Sequence, residues 1–296
     1  MKTELLAFLD RVRPAIDASL DSLLPPESTP PAVIHQAMRH SIFAGGKRFR
    51  PALCIAGFSI FEKDSARIMP IACAIEMAHT YSLIHDDLPA MDDDDFRRGI
   101  PSCHKQFGEA TAILAGDALL TLAFETMANC RGFNEAAQLH AIASFARALG
   151  TRNGMIAGQV LDLQAEGKPL DRPEVEAIHR AKTGALLSTS VWMGAYLGGA
   201  RDADAETILA YGRKIGLAFQ IIDDVLDETQ SYETLGKTAG KDRKHQKATY
   251  PSVYGMEESR RMVRQLTEDA CELVRPMGSP AATLIEIAGF LETRCH

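Results

Sequence analysis

The sequence has few aromatic residues, and it lacks the signals of a β-protein. Aromatic residues make up 6% of the 296 residues, and Trp192 is the sole tryptophan. A chain poor in aromatic residues and rich in alanine and leucine suits packed helices better than sheets. No alternating strand pattern of useful length occurs, and no Asn-Gly or Asp-Gly turn joins two β-like runs. These absences predict an all-α protein.

The sequence also lacks paired cysteines and uninterrupted apolar runs. None of the six cysteines forms a C-x-x-C pair. That spacing argues against a zinc site or a disulfide framework and favours reduced thiols in a cytoplasmic protein. Glu76 and Asp117 interrupt the best apolar runs. We therefore expect a cytoplasmic localisation and no membrane span.

Positive charge is in deficit, with a formal net charge of −7. Such a surface repels nucleic acid and anionic lipid, so no nucleic-acid partner is expected. An anionic ligand would need a local basic cluster or a metal ion to bind.

Apolar residues recur at helical spacing along most of the chain. The first run, from Leu5 to Leu23, predicts an amphipathic helix that prolines then end. No flexible linker interrupts the pattern, so residues 1–296 are expected to form one domain. Further helices are predicted from near Val33 to Gly45-Gly46 and at about 51–61, 66–90, 109–130, 135–153, 173–198, 203–228 and 258–274.

Six aspartates lie within ten residues: Asp86, Asp87 and residues 92–95. Carboxylates this close repel one another, and burying any of them unpaired is costly. Pro89 should end the preceding helix nearby, which places Asp86 and Asp87 where the helix dipole disfavours further negative charge. The cluster therefore indicates a bound cation, with a solvated acidic loop as the alternative.

A second acidic cluster, Asp223, Asp224 and Asp227, interrupts an otherwise apolar helical segment. Asp223 and Asp227 are four residues apart, so they share one face of the helix. Oxygen-only ligands at this spacing suit Mg²⁺ rather than zinc. Two such clusters on separate helices predict several magnesium ions held between them.

Basic residues accompany both acidic clusters. Lys47, Arg48 and Arg50 follow two glycines just before a predicted helix, an arrangement that can cradle a diphosphate. Arg97 and Arg98 follow the first aspartate run directly. Three lysines flank the second half of the site: Lys182, Lys237 and Lys247. Acidic side chains that can bind metal, alternating with basic side chains that can bind anions, are typical of sites for diphosphate chemistry.

The chain resembles the trans-prenyl diphosphate synthases, particularly the bacterial farnesyl diphosphate synthases. Five segments match in family order: GGKRFRP (45–51), HDDLPAMDDDDFRRG (85–99), KTGAL (182–186), FQIIDDVLD (219–227) and GKTAGKD (236–242). The first aspartate motif has the DD-x4-D spacing of the bacterial group. The resemblance implies the isoprenoid synthase fold, a single all-α bundle of about ten core helices around a deep cavity, usually in a homodimer.

The resemblance also implies roles for individual residues. About three Mg²⁺ ions, with Mn²⁺ as an alternative metal, would be bound by six acids: Asp86, Asp87, Asp92, Asp223, Asp224 and Asp227. The allylic substrate, dimethylallyl or geranyl diphosphate, would be bound by Arg97, Lys182, Thr183, Gln220, Lys237 and Lys247. Isopentenyl diphosphate would be bound by Gly46, Lys47, Arg50, His79 and Arg98.

Three of these side chains have a structural alternative. His79 lies seven residues before Asp86, on the face of the metal motif, but a histidine on an apolar helix is often a satisfied core residue. Thr183 and Gln220, with the carbonyl of Lys182, are expected to direct oxygen dipoles to a carbocation. For both side chains, ordinary hydrogen bonding between helices is the alternative.

Tyr81 and Ser82 are the candidates for setting product length. Tyr81 lies five residues before Asp86, or about 7.5 Å along the helix. A ring there should stop chain growth after about three isoprene units, which predicts farnesyl diphosphate. Ser82 is small, so geranylgeranyl diphosphate is the alternative product.

Two other functions compete with this interpretation. A class I terpene cyclase also ionises diphosphates, but it usually pairs its aspartate motif with an Asn/Ser/Glu motif and needs no isopentenyl site. A non-catalytic regulatory subunit of a heteromeric synthase would tend to lose motif acids, and none is missing here.

Overall fold

The computed structural model describes residues 2–168, 170–229 and 249–293. Fourteen α-helices lie in these ranges, numbered here in chain order. The first seven are α1 (Lys2–Leu23), α2 (Ala32–Ile42), α3 (Phe49–Ser59), α4 (Met69–Asp86), α5 (Cys103–Phe107), α6 (Glu109–Asn129) and α7 (Glu135–Leu149). The others are α8 (Met155–Ala165), α9 (Arg172–His179), α10 (Ala185–Gly198), α11 (Asp202–Thr229), α12 (Tyr250–Tyr254), α13 (Met256–Val274) and α14 (Ala282–Thr293). Two 3₁₀ turns, Arg275–Met277 and Ser279–Ala281, join α13 to α14.

Side-chain caps begin several of these helices. Asn134 accepts hydrogen bonds from the amides of Ala136 and Ala137 at the start of α7. Asp171 and Glu174 form a reciprocal capping box at the start of α9. Such caps satisfy amides that have no partner within the helix.

The centre of the bundle is built from α3, α4, α10 and α11. Helix α10 packs against α3 and α11, α4 packs against α6, and α11 packs against α13. The closest approach is at Gly194, where a Cβ would overlap the carbonyl oxygen of Cys54. Tyr211, fully buried on α11, donates its hydroxyl to the carbonyl of Leu284 at 2.7 Å. The predicted all-α bundle is thus confirmed.

The structure has four helices that were not predicted, α5, α8, α12 and α14, and it differs from the predicted elements at two further places. A short antiparallel hairpin pairs β1 (Phe96–Arg97) with β2 (Ile100–Pro101). Its turn residues Arg98 and Gly99 both have positive φ, as a type I′ turn requires, and an Arg-Gly pair does not signal such a turn. The helix predicted at 173–198 is interrupted by a π-helical turn, Arg180–Gly184, which we call the π-turn. One inserted residue rotates the following side chains by about 100°, but α10 is apolar on most faces, so periodicity gave no sign of the change.

One described helix, α6, is long and apolar enough to cross a membrane by length and composition alone. The expectation that no segment spans a membrane stays a prediction, because this criterion uses length and composition only. The core helix of a bundle meets the same criterion, and Ala112, Ala115 and Leu119 of α6 are fully buried.

Candidate active site

A cavity of about 660 Å³ opens among α4, α8, α11 and the π-turn. Asp86 and Asp92 line one side of it, and Asp223 and Asp224 line it from α11. The two acidic clusters, more than 130 residues apart in sequence, therefore face one space. The other predicted residues that line it are Arg50, His79, Tyr81, Ser82, Arg97, Arg98, Lys182, Thr183 and Gln220.

The first aspartate run folds back on the end of α4. The amide of Asp92 donates to the carbonyl of Asp86 at 2.8 Å. This brings two carboxylates to the same wall of the cavity. Burial raises the pKa of Asp86 to about 6, with Asp92 adding to the rise and Lys182 opposing it. A carboxylate that is costly to ionise is one that a bound cation would stabilise.

Asp87 has a different environment from Asp86. It is 2% exposed, does not line the cavity, and forms an ion pair with Arg97. Arg97 Nε donates to Asp87 Oδ1 at 3.0 Å, and a second nitrogen lies 3.4 Å from Asp94 Oδ2. Burial raises the pKa of Asp87 even so. Its carboxylate pairs with a guanidinium and does not face the cavity. A buried carboxylate requires such a nearby cation.

Arg50 and His79 form a second polar group in the cavity. A guanidinium nitrogen of Arg50 lies 3.1 Å from His79 Nε2. Arginine only donates, so this histidine nitrogen accepts and the ring is neutral. Burial and the charges of Arg50 and Arg98 hold the pKa of His79 well below its usual value. Burial also lowers the pKa of Arg50 to about 10, and its Nε–H has no hydrogen-bond partner among the described residues. Such a donor fits an anionic ligand.

Two arginines, Arg48 and Arg98, donate to the carbonyl of Gly45 in the glycine-rich loop before α3. A Cβ at Gly46 would overlap the Arg98 guanidinium. Lys47 is exposed, and neither Gly46 nor Lys47 lines the cavity. The loop itself therefore does not line the cavity, but Arg98 and Arg50 next to it do.

Arg48 is not a surface cation as the basic run suggested. It is 3% exposed, and its guanidinium contacts Glu76 at 3.0 Å and Asp17 at 2.8 Å. It also donates to the carbonyl of Ile42 at 2.7 Å. The signal that could have predicted this was Glu76, an acid within an apolar helix that needs a buried cation.

A chain of hydrogen bonds joins the π-turn to α11. Thr183 donates to Gln220 Oε1 at 2.7 Å, and Gln220 donates to Asp224 Oδ1 at 2.9 Å. The other oxygen of Asp224 accepts from the Tyr250 amide at 2.9 Å. Thr183 and Gln220 thus line the cavity and also bond to each other, so both functions weighed for them are compatible with the structure. Asp227 is buried and does not line the cavity.

Two cavity residues were missed by the sequence analysis. Asp162 on α8 forms an ion pair with Lys182 Nζ at 2.7 Å. Gln159, one turn earlier, has a buried Nε2 with no hydrogen-bond partner among the described residues. An acid within the apolar stretch of α8 was the available signal for Asp162. Lys237 and Lys247 lie outside the described residues.

Tyr81 and Ser82 both line the cavity. The Tyr81 ring is 6% exposed and meets the ring of His85 edge-on, with centroids 5.6 Å apart. His85 in turn contacts the carbonyl of Ile113 on α6 at 3.1 Å. Gly116 allows this approach, because a Cβ there would overlap the His85 ring. The ring of Tyr81 is therefore held from α6 as well as from α4.

The donor set at the cavity fits magnesium. Asp86, Asp92 and Asp223 offer carboxylate oxygens, the ligands that Mg²⁺ prefers. Among the described residues, the potential ligand atoms already within 4.8 Å of one another belong to a different group: Asp93, Asp95 and His104. That group does not line the cavity.

Comparison with known proteins agrees with this geometry. The polyprenyl synthetase family model matches residues 31–276. The chain is 46% identical over 293 residues to a geranylgeranyl diphosphate synthase of Cyanophora paradoxa, covering 98% of this chain and 96% of that protein. It is 45% identical to the heterodimeric geranylgeranyl pyrophosphate synthase large subunit 1 of Arabidopsis thaliana, covering 94% of this chain and 76% of that protein.

A solved structure is similar over the whole chain. It is that of an FPP/GFPP synthase from Zymomonas mobilis, with a TM-score of 0.88 and 36% identity, covering 99% of this chain and 100% of that one. The chain has the isoprenoid synthase fold and belongs to the polyprenyl synthetase family of trans-prenyl diphosphate synthases. It is a short-chain prenyltransferase.

Proposed function

We propose that this enzyme condenses isopentenyl diphosphate with dimethylallyl or geranyl diphosphate and makes farnesyl diphosphate. The observation that carries the reaction is one cavity lined by two aspartate clusters and a separate Arg50–His79 group. Two differently composed anion sites suit two diphosphate substrates, one bound through metal and the other directly by cations.

The chain's own residues would bind and orient the substrates. Asp86, Asp92 and Asp223 would hold Mg²⁺, which when bound neutralises charge on a leaving diphosphate. Arg97 and Lys182 both line the cavity and would bind the allylic diphosphate oxygens. In this structure Arg97 forms an ion pair with Asp87, and Lys182 forms one with Asp162. The substrate would therefore share each cation with an acid of the protein.

Three bond changes complete the proposed reaction. The allylic C–O bond breaks, and its electron pair leaves with diphosphate. The double bond of isopentenyl diphosphate then attacks the allylic carbon, which forms the new C–C bond. A proton leaves the adjacent carbon, and the departing diphosphate is the proposed base. The oxygens of Thr183 and Gln220 would face the positive charge meanwhile.

The C15 product rests on Tyr81. Its buried ring lies in the wall about 7.5 Å along α4 from Asp86 and is held by His85. The second candidate, geranylgeranyl diphosphate, is supported by the names of both curated relatives, which favour the longer product over the one we propose. Overall identity reflects the whole chain, whereas product length depends on a few residues of the wall, so we give the ring more weight.

We also propose that residues 1–296 form one domain, that the enzyme acts in the cytoplasm, and that it is a homodimer. Large apolar side chains exposed on two neighbouring helices support the homodimer: Ile113 and Leu114 on α6, and Leu139 on α7. The Arabidopsis relative is named as a heterodimer subunit, so a different partner is the competing outcome. Light scattering of the purified protein would decide, since a monomer would contradict the proposal.

One assay tests the reaction. The enzyme is incubated with isopentenyl and dimethylallyl diphosphates and Mg²⁺, and product lengths are read by mass spectrometry. We expect farnesyl diphosphate as the main product and no turnover in excess chelator. Cyclised hydrocarbons would support a terpene cyclase instead, and inactivity of the pure protein that a partner subunit restores would support a regulatory subunit.

A further inference from the structure

A second groove of about 760 Å³ lies on the other side of the π-turn from the catalytic cavity. It is bordered by the end of α7, by α8, α9 and α10, and by the first turns of α11. The residues that line it are different from those of the catalytic cavity. The groove is therefore a separate site that shares one wall with the first.

The groove is strongly basic in a protein with a net charge of −7. Four arginines line it, against a single acid, Glu206. Arg180 is paired with Glu176, but Arg147, Arg152 and Arg213 form no ion pair among the described residues. Three such guanidinium groups around one concave space suit an anion with more than one charge.

The floor of the groove is apolar and made of small residues. Ala181 and Gly184 of the π-turn are buried there, and Ala185 follows them. Trp192 and Leu209 supply larger apolar surface. A basic rim over an apolar floor fits an amphiphile better than a free inorganic anion, because only an amphiphile would use both surfaces.

We propose that this groove binds an isoprenoid diphosphate, with its diphosphate on the arginines and its hydrocarbon chain on the Trp192 side. The choice of ligand rests on the proposed function, which places such molecules in the adjoining cavity. A fatty acid carries one carboxylate and would satisfy one arginine. A diphosphate offers two phosphoryl groups and matches the three unpaired guanidinium groups better.

Occupation of the groove would reach the catalytic cavity through the π-turn. This turn places Ala181 and Gly184 in the groove and Lys182 and Thr183 in the cavity. It is tightly packed from both neighbouring helices. A Cβ at Gly158 of α8 would overlap the Lys182 backbone, and one at Gly216 of α11 would lie 2.8 Å from the Gly184 Cα. A shift of the turn therefore moves Lys182 and Thr183, and we infer that the bound ligand reduces turnover.

Trp192 makes the proposal directly testable. It is the only tryptophan of the chain, and it lines the groove rather than the catalytic cavity. Its fluorescence would be titrated with the non-reactive analogue farnesyl thiolodiphosphate, in EDTA to weaken metal-dependent binding in the cavity. We expect a saturable change in the wild type and in Arg201→Ala, an exposed arginine outside the groove. The double variant Arg147→Ala/Arg213→Ala should bind at least about tenfold more weakly.

Titrations with three other ligands test which chemical features the groove recognises. Inorganic diphosphate, farnesol and palmitate should each bind clearly more weakly than the thiolodiphosphate. Equal binding of palmitate or of inorganic diphosphate would overturn the assigned ligand. No fluorescence change, or the same affinity in the double variant, would overturn the site itself.

Kinetics provide the second readout. The double variant should keep its basal rate. It should lose the non-competitive part of product inhibition, which is the part that higher concentrations of both substrates do not relieve. Inhibition identical to the wild type would contradict the coupling. Because the fluorescence titration needs no turnover, it can succeed or fail independently of the condensation assay that tests the proposed function.

Discussion

Arg97 donates its Nε–H to Asp87 Oδ1 at 3.0 Å. The arginine expected to bind the allylic diphosphate is thus already paired with a carboxylate of the protein. The pair lies beside the cavity, with Arg97 in its wall and Asp87 buried behind it. Asp87 therefore orients an arginine of the cavity wall in this structure, while Asp86 faces the cavity itself.

Asp87→Asn should lower kcat/KM for the allylic diphosphate by about tenfold, because the Arg97 guanidinium loses its charged partner. The KM for isopentenyl diphosphate should change little.

Asp86→Asn should reduce kcat by about a thousandfold or more, since it removes a predicted metal ligand. Steady-state kinetics with each substrate varied would measure both effects. Asp95→Asn, an exposed acid paired with Lys105, is the matched control. Equal losses in the Asp86 and Asp87 variants would contradict the distinct positions of the two acids.

Tyr81→Ala should lengthen the product to geranylgeranyl diphosphate or beyond. The substitution removes a buried ring from the cavity wall and opens space along α4. Mass spectrometry of the product mixture provides the measurement. Ser82→Ala, which removes only a hydroxyl bonded to the carbonyl of His79, should leave the product unchanged. An unaltered profile for Tyr81→Ala would remove the steric argument for a C15 product.

Asp86→Asn should stabilise the metal-free protein at pH 7 by about 1–3 kcal/mol. Burial raises the folded-state pKa of Asp86 from 3.8 to about 6, so the folded state binds more protons than the unfolded state between these values. The carboxylate thus costs stability above about pH 6, and the cost disappears below pH 3.8. Urea denaturation in EDTA at several pH values would measure this. Addition of Mg²⁺ should stabilise the wild type and not the variant, and the opposite order would count against Asp86 as a ligand.

Acidification should destabilise the fold through His179. Burial lowers its pKa from 6.5 to about 4, so the unfolded state binds more protons between these values. The neutral ring contributes fully above pH 6.5, and its contribution decreases as the pH falls towards 4. Stability measured by urea denaturation should therefore decline less steeply over this range in His179→Asn than in the wild type. His35→Asn serves as a control on a less buried histidine. Parallel slopes in all three proteins would argue against a buried neutral His179.

Arg48→Met should destabilise the protein by about 3–5 kcal/mol, because it leaves Glu76 buried without a cation. The double variant Arg48→Met/Glu76→Leu should recover much of that loss, since both charges are removed together. Chemical denaturation of the two variants and the wild type would measure the coupling. A double variant as unstable as Arg48→Met would show that the ion pair is not the source of the effect.

The helical class and the two acidic clusters follow from the amino-acid pattern alone. Periodicity along one helix reports which face is apolar, and this was enough to place Asp223 within a mostly buried segment. The spacing from Asp86 back to Tyr81 was also readable, because both residues lie on one regular helix.

Which charged groups face the cavity depends on how distant helices pack and does not follow from the pattern. Arg48 and Glu76 are 28 positions apart, and Thr183 and Gln220 are 37 apart, so neither pair follows from local spacing. Asp87 and Asp224 accept hydrogen bonds from donors that the folded chain brings to them, whereas no donor among the described residues is bonded to the Asp86 side chain. The π-turn and the arginine-lined groove behind it also depend on contacts between helices. A local pattern specifies the face of an element, but the partner of each polar group is fixed only when distant elements pack together.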